Sequence, residues 1–278
     1  MSEVEGNNLI RDALIQGNPF SAGKLGAGEC RALSNYLHHK IHGINPIQWP
    51  SYPHIELFHG AGVFPPSPET FTQFCGIFLE SLKTLDIAGV WQNELEEFIL
   101  QYASPQSSFC NARGLEPYYH EDPWTRYLEG KTLLVISPFI ESISTQLPKI
   151  TDVWRDKPLF PNVKVATLKI PFSAATTPSP FSSWEDGLLK LQDAVKTIDF
   201  DIAIVGAGAW SLPLISFCKS LGKSGVHLGG ATQILFGIKG KRWDNHNVIS
   251  GFYNGHWIRP LPQEIPPQAA IVEGGCYW

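Results

Sequence analysis

The sequence is short of charge. Asp, Glu, Lys and Arg make up 17% of the 278 residues, and the net charge is only −5. No global basic field results, so electrostatic capture of nucleic acid is excluded as the main activity. Long hydrophobic runs are missing too: none approaches the roughly 20 residues of a bilayer span, and the first 18 residues have no signal-peptide core. The expectation is a cytoplasmic protein without a transmembrane segment. Cys30, Cys75, Cys110, Cys218 and Cys276 are odd in number, widely spaced and without a C-x-x-C pair, which excludes a disulfide framework or a zinc knuckle and leaves buried thiols. There is no tandem repeat and no low-complexity tract, and 43% hydrophobic content is ordinary for a globular core.

Abundant instead are 22 prolines, 25 glycines and nine tryptophans. They predict long, shaped, aromatic-rich loops of the kind that build pockets over a rigid sheet. One domain is expected in three parts: a helical and loop part over 1–128, a regular α/β part over 129–250, and a docked tail over 251–278. In the first part, 7–17 reads as a short helix ending at Gly17, Phe20 to Leu25 as a strand, and Glu29 to Lys40 as a helix with Leu33, Tyr36 and Leu37 inward. Residues 43–68 carry six prolines with Trp49, Tyr52, His54 and His59 and show no periodicity. Ser67-Pro68 opens a helix with Phe71, Phe74, Phe78, Leu82 and Leu85 on one face. A further helix over 93–102 is expected to turn Leu95, Phe98, Ile99 and Tyr102 inward. From Asn111, a cluster of Arg113, Glu116, Tyr118, Tyr119, His120, Glu121, Asp122, Trp124 and Arg126 suits either a polar substrate pocket or a solvated loop pinned by its rings. Adjacent residues such as His120 and Glu121 converge poorly on one metal ion.

From Gly130 strands and helices alternate. Strands are expected at Thr132 to Ile136, Val163 to Ile170, Ile202 to Val205 and Val226 to Leu228. Helices are expected from Glu141 to Trp154, interrupted at Pro148, and from Trp184 to Ile198. The pattern predicts an α/β fold with a mainly parallel, Rossmann-like sheet and helices on both faces, the strand near Phe20 included. Within it, Asp201 to Trp243 is the organising stretch. Gly206 and Gly208 turn the chain after one strand, Ser211 reads as the N-cap of a helix carrying Pro213 that Gly222 ends, and Gly229-Gly230 follows the next strand. Two strand–glycine–helix corners can hold an anion at the carboxyl ends of strands. Lys239, Lys241 and Arg242 follow within four residues, as phosphate ligands or as cations answering a helix dipole.

Gly206 to Ser211 approximates G-x-G-x-x-G but has serine in the last place, and His227-Leu228-Gly229 stands where the ribose-binding acid would be. An NAD(P)-dependent oxidoreductase is therefore an alternative and not the first choice. The pieces PFSAGKLGAGE, GKTLLVISPFIESI, DIAIVGAGAWSLPL, HLGGATQILFGIKGKRW and EGGCYW, spread over nearly the whole chain, resemble the GT-D-fold glycosyltransferases. These are Rossmann-like enzymes that move a sugar from a nucleotide-diphosphate donor to a glycan or glycoprotein acceptor. In that family the first piece reads Arg-Phe-Gly-Asp-Gly-Glu, and its Asp-x-Glu pair is associated with a divalent metal. Lys24, Leu25, Gly26, Ala27, Gly28 and Glu29 stand at those positions, so the glutamate is kept and the aspartate is alanine. Donor binding is then expected from Lys24, Gly26 and Gly28, from Ser137, from the corners at Gly206, Gly208, Ser211, Gly229 and Gly230, and, in place of the lost carboxylate, from Lys239, Lys241 and Arg242. The resemblance also implies Mn²⁺ or Mg²⁺ at Glu29 with reduced grip. Glu29 and His227 are the candidate general bases, each with a bland alternative: a first-turn glutamate and a buried, hydrogen-bonded histidine. Ala27 also leaves room for a relative that binds a sugar nucleotide or glycan without turnover.

Overall fold

The computed structural model describes residues 2–51 and 54–278. Tyr52 and the side chain of His54 lie outside the described residues. The helices are α1 (Glu3–Gln16), α2 (Ala27–Ile41), α3 (Pro68–Leu82), α4 (Glu96–Ala103), α5 (Ile140–Gln146), α6 (Ile150–Val153), α7 (Trp184–Lys196), α8 (Ser211–Ser220) and α9 (Ala231–Leu235). The strands are β1 (Ser21–Lys24), β2 (Ile87–Val90), β3 (Ser108–Asn111), β4 (Thr132–Ser137), β5 (Lys164–Lys169), β6 (Ile202–Val205) and β7 (Ser224–His227). All pair in parallel in the order β3-β2-β1-β7-β6-β4-β5. The protein is an α/β, Rossmann-like fold.

Side-chain alternation divides the core between the two faces of this sheet. Leu134 and Ile136 of β4 and Ala203 and Val205 of β6 pack with α2, α3, α7 and α8. Their neighbours Leu133, Val135, Ile202 and Ile204 pack with Ile10 and Leu14 of α1, Ile143 of α5 and the tail residue Trp257. Local chemistry sets the helix starts. Ser67 Oγ accepts the Thr70 N–H at 3.2 Å ahead of Pro68, and Ser183 Oγ accepts the Asp186 N–H at 3.1 Å. Across the α3–α7 seam, Phe74 and Trp184 meet edge-to-face at 5.2 Å, an arrangement worth about 0.5–1.5 kcal/mol beyond area burial.

The chain differs from expectation in four places. The first 128 residues, read as helix and loop apart from one strand, supply β1, β2 and β3, and IAGV and SFCN were too short to signal strands. Helix α1 begins at Glu3, not near residue 7. The aperiodic stretch after residue 43 holds an eight-residue π-helix, His54–Ala61. In α4 only Ile99 of the four expected inward residues is buried, whereas Leu95, Phe98 and Tyr102 are about half exposed. The cause is Glu96, fully buried, whose Oε2 accepts the N–H groups of Trp91 at 3.0 Å and Asn93 at 2.9 Å. That clamp sets Glu96, Ile99, Leu100 and Ala103 as the inner face. All five cysteines are buried free thiols, as expected. No helix among the described residues is long and apolar enough to cross a membrane.

Candidate functional site

A cavity of about 790 Å³ opens at the carboxyl ends of the strands, within the usual range for small-molecule sites. Each strand delivers a residue to it: Lys24 from β1, Trp91 after β2, Glu116 beyond β3, Ser137 from β4, Ile170 after β5, Gly206 after β6 and His227 from β7. Its centre is a topological switch point, because the chain leaves β4 towards the β5 edge and leaves β6 towards β7. There the Gly206 N–H donates to the Ile136 carbonyl at 2.9 Å.

The two glycine corners are packed on each other. A Cβ at residue 206 would stand 2.6 Å from both the Gly229 carbonyl oxygen and Thr232 Oγ1, so only glycine fits. Gly208, at φ +55°, seats the Ala61 carbonyl of the π-helix within 2.8 Å of where a Cβ would be. Lys24, Gly26, Gly28, Ser137, Gly206, Gly208, Gly229, Gly230 and Arg242 all line the cavity. Ser211, Lys239 and Lys241 do not. Ser211 is fully buried, and instead of capping a helix its hydroxyl accepts the Ala207 N–H at 2.8 Å, tightening the corner from behind. Lys239 Nζ lies over the Tyr253 ring and Lys241 Nζ donates to the Gly274 carbonyl at 3.1 Å. The expected three-cation cluster is therefore reduced to Arg242, which pairs with Glu273 at 2.5 Å and stacks on Tyr277. The backbone N–H groups of Lys239, Lys241 and Arg242 donate to the carbonyls of Ile258, Trp278 and Cys276 respectively, and that sends the three side chains apart.

Charge in this cavity is balanced. Lys24 pairs with Glu116 at 2.7 Å, Arg31 with Glu56, and Arg113 approaches Glu3 at 3.6 Å. Neutral groups supply the unsatisfied polarity: Thr232 Oγ1, Gln233 Oε1 and His227 Nδ1 are buried and find no hydrogen-bond partner among the described residues. Burial drives the His227 imidazole down to about 3, with the Lys24 charge acting in the same direction. It is therefore neutral and a weak proton acceptor near pH 7.

Glu29 lies in the first turn of α2 and is partly exposed to the cavity. Its carboxylate folds back towards the helix start, with Oε2 only 2.2 Å from where a Cβ on Gly26 would be. Loss of water raises its pKa, the backbone N–H of Glu29 opposes, and the nearby Glu56 charge adds to the rise. The described residues offer a divalent metal little beyond Glu29 itself. Glu29 is turned onto its own helix, Glu56 is held by Arg31, and no group of three or more His, Cys, Asp or Glu converges among the described residues. A hard cation needs oxygen ligands that remain free.

The cluster from Asn111 divides. Arg113, Glu116 and Tyr119 line the cavity, Tyr118 lies buried beneath it, and Glu121 and Asp122 are exposed. Thr232, Gln233 and Trp91 were not singled out from the sequence, because a threonine and glutamine after Gly-Gly and a tryptophan after a four-residue strand carry no distinctive spacing. Comparison with family profiles, curated proteins and solved structures returns no match.

Proposed function

We propose that the protein is a glycosyltransferase that takes a sugar from a nucleoside-diphosphate donor and passes it to a hydroxyl of a glycan or glycoprotein. One observation carries the reading. The segment from Lys24 to Glu29 and the corners at Gly206 and Gly229, far apart in sequence, face one cavity because β7 pairs with β1 on one side and β6 on the other. In transfer, the acceptor oxygen forms a bond to the sugar's anomeric carbon, the bond from that carbon to the diphosphate oxygen breaks, and the diphosphate leaves with the electron pair. The acceptor proton goes to Glu29, which is favoured over His227 because a raised carboxyl is nearer to working pH than an imidazole held at about 3. Arg242 and the N–H groups at Gly230 and Ala231, which have no intrahelical partner, face the leaving group. The scheme routes no step through a metal.

The fold back of Glu29 and the alanine at 27 favour a second reading, a relative that binds the same donor without turnover. An NAD(P)-dependent oxidoreductase is weaker, since the Ala207 N–H of the corner is already taken by Ser211. Thermal melts with UDP, GDP and their sugars, with and without Mn²⁺, test the proposal. At least one nucleoside diphosphate should raise Tm without metal. No shift with any of them overturns donor binding, and a shift without product in a transfer assay leaves the non-catalytic reading. Where product forms, Glu29→Gln should abolish it while preserving the melt shift.

A further inference from the structure

Away from the glycine corners the cavity contains a polar device that the transfer chemistry does not use. Lys24 Nζ and Glu116 Oε1 stand 2.7 Å apart with side chains only 9% and 7% exposed, and both residues line the cavity. A pair so far removed from water is favourable only if its geometry is fixed and its remaining lone pairs and protons are used. Here it is fixed from three sides. The buried Tyr118 hydroxyl donates to Glu116 Oε2 at 2.5 Å, the Trp91 ring lies 4.7 Å from Nζ, and the Trp91 backbone is itself anchored by buried Glu96. Binding capacity is left over, since an ammonium has three donors and each carboxylate oxygen more than one lone pair. A phosphate approaching this wall meets the charge of Glu116, and a cation meets that of Lys24. A hydroxyl suits both, accepting from the ammonium while it or its neighbour donates to the carboxylate. Trp91, 41% exposed, adds a ring whose negative face attracts the C–H side of a sugar.

We propose that Lys24, Glu116 and Trp91 form a sugar-ring subsite that reads two neighbouring hydroxyls of a pyranose. The proposal deepens the glycosyl-transfer reading and rests on it for the placing of the sugar beside the donor corner. Tyr118 and Glu96 are positioning residues, acting through Glu116 and Trp91.

Saturation-transfer NMR with methyl glucoside, mannoside and galactoside, and calorimetry with UDP, GDP and their sugars, test it on the full chain. At least one glycoside or sugar nucleotide should bind the wild type. Glu116→Gln and Trp91→Ala should each weaken it at least tenfold while leaving the bare nucleotide within twofold. Loss of the sugar-nucleotide affinity alone makes the held sugar the donor's, and loss of the free glycoside as well makes it the acceptor's. If glycosides respond to the substitutions but no nucleotide binds, the subsite stands and the donor reading falls. If neither variant changes sugar binding, or the wild type binds no sugar in any form, the subsite is overturned. Should Glu116→Gln fail to fold, the exposed position of Trp91 lets Trp91→Ala decide alone.

Discussion

On the side of β1, β2 and β3 the cavity wall is ionic, and apart from Glu29 its charges are paired, Lys24 with Glu116 and Arg31 with Glu56. On the side of β4, β6 and β7 it presents Ser137, Gly206, Thr232, Gln233 and a neutral imidazole, with the single pair Arg242–Glu273 at its rim. Neither wall offers a surplus of positive charge. The contrast teaches that recognition here depends on hydrogen-bond geometry rather than on field strength. A ligand with a small charged part and a large hydroxylated part matches both walls.

The contrast can be broken most severely at Lys24. Lys24→Met strands a buried carboxylate and should cost about 3–5 kcal/mol in chemical denaturation, most of it recovered when Glu116→Leu is added. A loss below about 1 kcal/mol would mean that the ionic wall is effectively solvated. On the neutral wall, Gly206→Ala should cost about 1–3 kcal/mol, because its methyl meets the Gly229 carbonyl and Thr232, and should erase any nucleotide-induced rise in Tm. Retention of that rise would show that the corner is not where the ligand sits.

Acid stability sharpens the same contrast. The imidazole of His227 titrates near 6.5 in an unfolded chain but only near 3 when folded. Between these values the unfolded state binds more protons, so stability present above pH 6.5 is lost as pH falls. In His227→Gln the pH dependence of denaturation midpoints should flatten over that window. Smallest of all, Arg242→Met should change stability by less than about 1 kcal/mol, since its Glu273 partner is 69% exposed. A larger loss would place Arg242 with Lys24 among the structural cations.

Much of this was legible in the sequence because it is local. Branched runs such as TLLVI and IAIV, the Ser67-Pro68 helix start, and glycines after strands report their own conformation through a few neighbours. That was enough for the parallel sheet and for placing Lys24, Gly206 and Gly229 at its carboxyl end. What escaped depends on partners distant in the chain. Lys239 and Lys241 lie within three residues of Arg242 in sequence, yet backbone bonds to Ile258, Trp278 and Cys276 disperse the three. Glu96 reverses the helical face of Phe98 and Tyr102 through a buried carboxylate that no periodicity registers. Glu116 gains its meaning only from Lys24, on a strand at the other end of a long connection.

The strand order also bears on how the chain reaches this state. β7 is the last strand in sequence, yet it lies in the middle, between β1 and β6. Without Ser224–His227 the pairing of the sheet divides into two ribbons, β3-β2-β1 and β6-β4-β5, each with an unpaired edge where β7 belongs. Such edges invite pairing with other chains. Completion of the sheet, burial of both edges and formation of the cavity should therefore coincide in one late step, so that a truncated or stalled chain would be prone to aggregate and unable to bind.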